Sequence, residues 1–192
     1  SFPPPDRWKT ELMKALRETR DWIVQNRRTR RVRLTGNRRL SASLAIGAMF
    51  SAVAGFSIEM EIRNGEWWAT DEHATAATPS YPLHIDMPAV GGERLIVSIG
   101  ILRNIQAEVS MYQRNGLLRD LPALHICGGQ PLESAQQANL AVREIKSAIT
   151  RALGVTKSRQ IDLFFAGPAA AALFLGHRLN AVGPVQCYEW VG

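Results

Sequence analysis

Arginine is concentrated in one stretch of the chain: Arg27, Arg28, Arg30, Arg31, Arg33, Arg38 and Arg39 all lie between positions 27 and 39. A guanidinium is a permanent planar cation whose forked donors match phosphate oxygens. Arg38 and Arg39 follow a short apolar run that ends in Gly36 and open a helical pattern over residues 40–54. Cations at the start of a helix are unfavourable unless an anion is held there, so phosphate contact is expected at Gly36, Arg38 and Arg39. Gly167, Pro168 and Ala169 form a second candidate cradle, again between an apolar run and a helical pattern. There the unpaired N–H groups of the helix start would face an anion. The paired Trp67 and Trp68 suit either a core or a platform on which a base stacks.

The rest of the chemical inventory is sparse. No nucleophile elbow, phosphate-binding P-loop, zinc-protease motif or dinucleotide fingerprint is present. His73, His84, His125 and His177 are not spaced as a metal set, and nothing supplies a nucleophile with an orienting partner. No catalytic residue, metal or cofactor is therefore expected, and the chain reads as a binding domain. Two cysteines, Cys127 and Cys187, exclude a disulfide framework. The formal charge of +6 and a pI near 9.9 suit a polyanionic partner, or serve solubility alone. No apolar run approaches the ~18 residues that a membrane span needs, so no membrane partner and a cytoplasmic setting are expected. The opening Ser1-Phe2-Pro3-Pro4-Pro5-Asp6 reads as the end of a proline-rich linker.

Strands and helices must position these residues. A helix capped by Asp6 or Thr10 is expected to run to about Asn26, with Trp8, Leu12, Leu16, Thr19 and Ile23 as its apolar stripe. Residues 32–36, 40–54 and 56–62 then read as strand, helix and strand. Residues 161–165, 169–180 and 185–191 repeat that order, a βαβ unit in each case. Gly36 and Gly167 take matching places, as do the mid-helix Gly47 and Gly176. Between the two units lie a long connection over residues 71–92, with a short strand at 83–87, and an apolar strand at 94–101. A helix from about Asn104, a strand at 122–127 and a helix from Ser134 to a stop at Gly154 follow. Alternating strands and helices predict a mostly parallel α/β sheet. Its ligand would sit beyond the strand ends at Thr35-Gly36, Leu102-Arg103-Asn104, Cys127-Gly128-Gly129 and Ala166-Gly167-Pro168.

Residues 161–168, 171–180 and 185–189 together resemble the C-terminal signature of SAVED domains, the sensor modules of bacterial CBASS anti-phage effectors. Thr35–Leu40 with Ala45-Ile46-Gly47 resembles that family's first subdomain, and Ser98–Val109 with Tyr112 its entry to the second. The resemblance runs from about Arg31 to Val191 and implies an α/β fold of two fused CARF-like, Rossmann-type subdomains related by a pseudo-twofold axis. These would be residues 7–92 and 93–192, after a linker remnant at 1–6. It further implies a cyclic oligonucleotide across the cleft, a cyclic dinucleotide or trinucleotide, with a cyclic dinucleotide such as a cyclic GMP-AMP isomer as the expected messenger. Ligand-driven homo-oligomerisation would switch on a fused N-terminal effector, an HNH endonuclease in the type this chain most resembles. On that basis Arg103, Asn104, Gly128 and Gly129 would line the floor of the cleft, and Trp67, Trp68 and Tyr81 would stack. Family members often carry an acidic residue where this chain has Arg103-Asn104.

Two other classes fit the composition: a Rossmann-type nucleotide-processing enzyme, and a basic nucleic-acid-binding domain using residues 27–39. The first needs an acid–base pair at the strand ends, and the second predicts binding that falls steeply with salt.

Overall fold

The computed structural model describes residues 7–36, 38–63, 65–116 and 118–189. Asp6, one of the two expected helix caps, lies outside them. The first helix opens with a π-helical turn, Trp8–Leu12, and continues as α1, Met13–Asn26. Thr10 lies within that turn, and the cap position is Arg7. Leu16 and Ile23 are the stripe residues that reach the core. Strand β1 (Arg31–Leu34), helix α2 (Leu40–Met49), a 3-10 turn (Ala52–Ala54) and β2 (Ser57–Glu61) make the first βαβ unit. The chain leaves that 3-10 turn through Gly55 at φ +76, a conformation that a side chain would resist.

Sequence periodicity does not anticipate β3 (Trp67–Ala69), which returns antiparallel to β2 through a hairpin. The first sheet is thus β1-β2-β3, parallel and then antiparallel. The second has the order β4-β6-β5-β7-β8, built from β4 (His84–Asp86), β5 (Arg94–Gly100), β6 (Ala123–Cys127), β7 (Gln160–Ala166) and β8 (Val185–Tyr188). Its pairs are parallel except β4 on β6. The sequence places β4 in the first half of the chain, yet β4 forms the edge of the second sheet.

The central strands β5 and β7 are apolar almost throughout because both of their faces are covered. Leu95, Val97, Ile99 and Leu163 pack among the residues of α4 (Ala135–Thr156) and α5 (Ala169–Arg178). Ile96 and Phe164 point the other way, toward Ile105 and the α3 (Gln106–Arg114) residue Val109. Ser134 caps α4, its hydroxyl accepting from the Gln137 N–H at 3.1 Å. The expected stop at Gly154 is overrun. Ala152 and Thr156 continue the buried stripe, and Lys157 takes the left-handed conformation at φ 60 instead.

Helices α2 and α5 cross at their glycines. A methyl on Gly47 would overlap the Leu173 carbonyl and lie 2.7 Å from the His177 nitrogen. A methyl on Gly176 would overlap the Leu44 carbonyl and lie 3.0 Å from the Leu44 Cα. Each glycine thus rests on the leucine three positions before the other glycine, the self-complementary contact that a twofold relation requires.

Candidate ligand-binding site

Superposing the two βαβ units on this crossing pairs Arg39 with Pro168, since each is the cap residue eight positions before its glycine. Gly36 and Gly167 are then two positions out of register, because the first unit has a longer loop. Gly36 is exposed, turns at φ +79 and has open space where a side chain would stand. Pro168 is the cap of α5 and Ala169 its first residue, so the proline precedes the helix instead of occupying its first turn.

Arg38, Arg39 and Leu40 at the start of α2 meet Phe165 near the end of β7 and Glu189 beyond β8, around a cavity of about 210 Å³. Arg38 donates from Nη2 to the Thr35 carbonyl, and its Nη1 is buried without a hydrogen-bond partner among the described residues. Burial holds this guanidinium below its ordinary pKa. Glu189 is missed by residue-by-residue reading, since one acid in an alternating strand carries no mark of what it faces. Its Oε1 accepts from the Ser41 N–H at 2.7 Å, and its Oε2 lies 3.8 Å from Arg39 Nη1. Burial, with the nearby Glu189 charge, pushes the Cys187 thiol up to about 11.

The ends of β5, β6 and β7 come together as expected, but their glycines serve packing. The Gly128 N–H donates to the Gly100 carbonyl at 2.7 Å, and the Ile101 N–H donates to the Ala166 carbonyl at 2.8 Å. A methyl on Gly128 would strike the Tyr81 hydroxyl and lie 2.7 Å from the Ile101 carbonyl oxygen; one on Gly167 would lie 2.8 Å from the Ile101 Cβ. Only Gly129, exposed and with open space above it, retains the freedom expected of a floor residue. Arg103 pairs with Glu108, and Asn104 Oδ1 accepts from the Gln106 N–H at 2.8 Å. Both are exposed, and Glu108 supplies an acid one turn into α3.

The stacking expectation is corrected for two of its three residues. Trp68 is buried in register with Met60. Tyr81 is buried too, its hydroxyl within 2.7 Å of both the Ile101 and Gln130 carbonyls. Trp67 is 38% exposed, but the Arg33 guanidinium lies 4.7 Å above its ring. Much of the arginine cluster is likewise engaged within the chain. Arg31 bridges Glu59 and Asp71 at 2.5 Å each, Arg33 holds Glu59 at 2.8 Å, and Arg30 donates to the Ala54 carbonyl. The Arg33 hydrogen bond, helped by Arg31, keeps the Glu59 carboxyl below its usual range.

A second cavity of about 370 Å³ lies on the α3 side of the second sheet, lined by Arg94, Tyr112, Asn115, Gly116, Leu118 and Tyr188. Beneath it Arg94 holds the fully buried Asp162 at 2.5 Å, and the Tyr188 hydroxyl donates to the same carboxylate at 3.1 Å. Among the described residues, no group of His, Cys, Asp and Glu is placed to hold a metal, and no helix is long and apolar enough to cross a membrane.

The chain is similar to known receptors over nearly all its length. It is 29% identical over 197 residues to CD-NTase-associated protein 4 of an Acinetobacter strain and of Moraxella osloensis, covering 99% of this chain and 42% of each relative. The chain therefore spans less than half the length of those proteins. The structure of the Acinetobacter baumannii Cap4 SAVED/CARF-domain containing receptor with the cyclic trinucleotide 2'3'3'-cAAA matches with a TM-score of 0.87 and 28% identity, over 98% of this chain and 42% of that one. The same receptor with 3'3'3'-cAAA matches equally, and the Moraxella osloensis receptor matches with a TM-score of 0.75 at 28% identity, over 97% of this chain and 40% of that one. The family described as the SMODS-associated and fused to various effectors sensor domain matches residues 15–192, and this chain is a member of that SAVED family.

Proposed function

We infer that this domain is the sensor of an anti-phage effector and binds a cyclic oligonucleotide between the starts of α2 and α5. The observation that carries the reading is the cavity where Arg38 and Arg39 meet the ends of β7 and β8, in a fold shared with receptors that hold cyclic trinucleotides. Two helix starts around a pseudo-twofold axis suit a ligand with repeated phosphates. A cyclic trinucleotide of adenosine is favoured over the dinucleotide that the family resemblance implied, because the similar receptors carry cAAA. Oligomerisation on binding, and activation of a fused nuclease, complete the reading.

The test is calorimetric titration of the purified domain with 3'3'3'-cAAA, 2'3'3'-cAAA and a cyclic GMP-AMP isomer, alongside short linear DNA. A hit on a cAAA isomer, lost in Arg38→Glu/Arg39→Glu while the melting temperature stays within a few degrees, supports the reading. Binding to linear DNA alone, weakening steeply with salt, would replace it with the nucleic-acid reading. A cyclic dinucleotide as the only hit would change the ligand and keep the sensor.

A further inference from the structure

The two helix starts of the site are unequal. At α5 the cap is proline, the following residues Ala169–Ala172 carry no polar side chain, and no side-chain hydrogen bond caps the helix. At α2 a carboxylate from the far end of the chain is already in place: Glu189, 148 positions from Ser41, accepts that residue's N–H and faces Arg39. Its side chain is 17% exposed, so the charge is largely removed from water inside the cavity it lines.

We propose that Glu189 is a resident anion that competes with ligand phosphate for the α2 end of the site. The proposal rests on the cyclic-oligonucleotide reading above. Glu189 makes the two contacts that a phosphate would need there, a helix-start N–H and the Arg39 guanidinium. It leaves donor capacity unused: Arg38, which lines the cavity, has its Nη1 buried without a hydrogen-bond partner among the described residues. A phosphodiester entering this end meets donors in excess and one like charge. It must displace the carboxylate or bind beside it, and either event costs affinity. The open α5 end carries no such penalty, so a symmetric ligand is held asymmetrically. Because Glu189 directly follows Tyr188, the last residue of β8, a ligand that displaces it also frees the end of the final strand.

The experiment is calorimetric titration of wild type, Glu189→Gln and Glu189→Asp with 3'3'3'-cAAA and 2'3'3'-cAAA, with melting curves for each variant. Glutamine keeps an oxygen for the Ser41 N–H and removes the charge, so it should bind about tenfold tighter, a modest part of the repulsion between two unit charges a few ångströms apart. Aspartate keeps the charge and should gain nothing. Equal or weaker binding by Glu189→Gln, with wild type binding, would overturn the competition and leave the sensor reading intact. Equal tightening by both variants would assign the effect to a loosened strand end and overturn it too. A Glu189→Gln protein that fails to fold would make the residue a structural tie. Silence from wild type with both ligands would bring down the sensor reading, and the competition with it.

Discussion

His177 lies buried on α5, its Nδ1–H donating to the Phe50 carbonyl at 2.6 Å. Burial, chiefly, holds its pKa below the ordinary value near 6.5, and the same cause lowers His125, which sits 2.6 Å from the Ser98 hydroxyl. A base whose folded pKa is depressed binds its proton more readily when unfolded. The stability tied to its neutral form is complete above about pH 6.5 and drains away as pH falls toward the folded pKa. Glu59 and the other lowered carboxyls contribute only nearer pH 4, so the interval from pH 6.5 to about 5 belongs to the histidines. The melting temperature should fall across that interval, and His177→Asn/His125→Asn should flatten the fall. A wild-type profile level from pH 7 to 5 would contradict the assignment. The sequence made the arginines visible and left their partners hidden: Arg33 finds Glu59 26 positions away and Arg31 finds Asp71 40 away, distances over which no pattern in the chain speaks. Trp67 and Trp68 are legible as a pair, but the pleat sends one inward and one outward, so only one keeps an accessible ring.

At the scale of elements, the α2–α5 crossing is the joint on which the site depends. Backbone lies where each glycine would carry a side chain, so no rotamer change relieves an added methyl and the helices must separate. Gly176→Ala should cost about 3 kcal/mol, the upper end of ordinary overpacking, and Gly47→Ala a similar amount. The two contacts are one interface seen from both sides. Once the first methyl has parted the helices, the second costs less, and the double variant should fall short of the sum by about 1 kcal/mol or more. Additive losses in urea unfolding would mean that the glycines act separately. This joint was partly readable, since Gly47 and Gly176 stand at like places in two βαβ patterns. The βαβ units and the buried strands β5 and β7 were readable for the same reason, as long apolar runs bounded by glycine and proline. Strand β3, three residues long, is too short to show a period; β4 falls inside the short strand expected at 83–87, but its place in the second sheet is fixed only by what it pairs with.

At the scale of the whole molecule, contacts cross the division expected at position 92. Strand β4 leaves the first half to close the edge of the second sheet against β6. Asn139 on α4 donates to the Ala69 and Glu72 carbonyls at 3.0 Å each, and Arg178 on α5 donates to the Thr70 carbonyl at 3.2 Å and to Asn139 Oδ1 at 3.0 Å. Phe50, Ile58 and Trp68 share a continuous buried cluster with Ile145, Leu163 and Phe174. Residues 93–192 alone would expose the β6 edge and the glycine face of α5, and residues 1–92 alone would leave Leu44 and Phe50 in water. Each loss removes several large side chains from cover, at about 1.5–3 kcal/mol apiece, which exceeds the margin of a small domain. The full chain should therefore unfold in one calorimetric transition whose van't Hoff and calorimetric enthalpies agree. Neither half, produced separately, should show a cooperative transition, and a cyclic oligonucleotide should raise the single midpoint as a whole by mass action. Two resolved transitions, with ligand moving only one of them, would instead make the cleft a meeting of independent domains. Glu189 would then have to act across a hinge, whereas a single transition makes its contact with Ser41 part of one cooperative body.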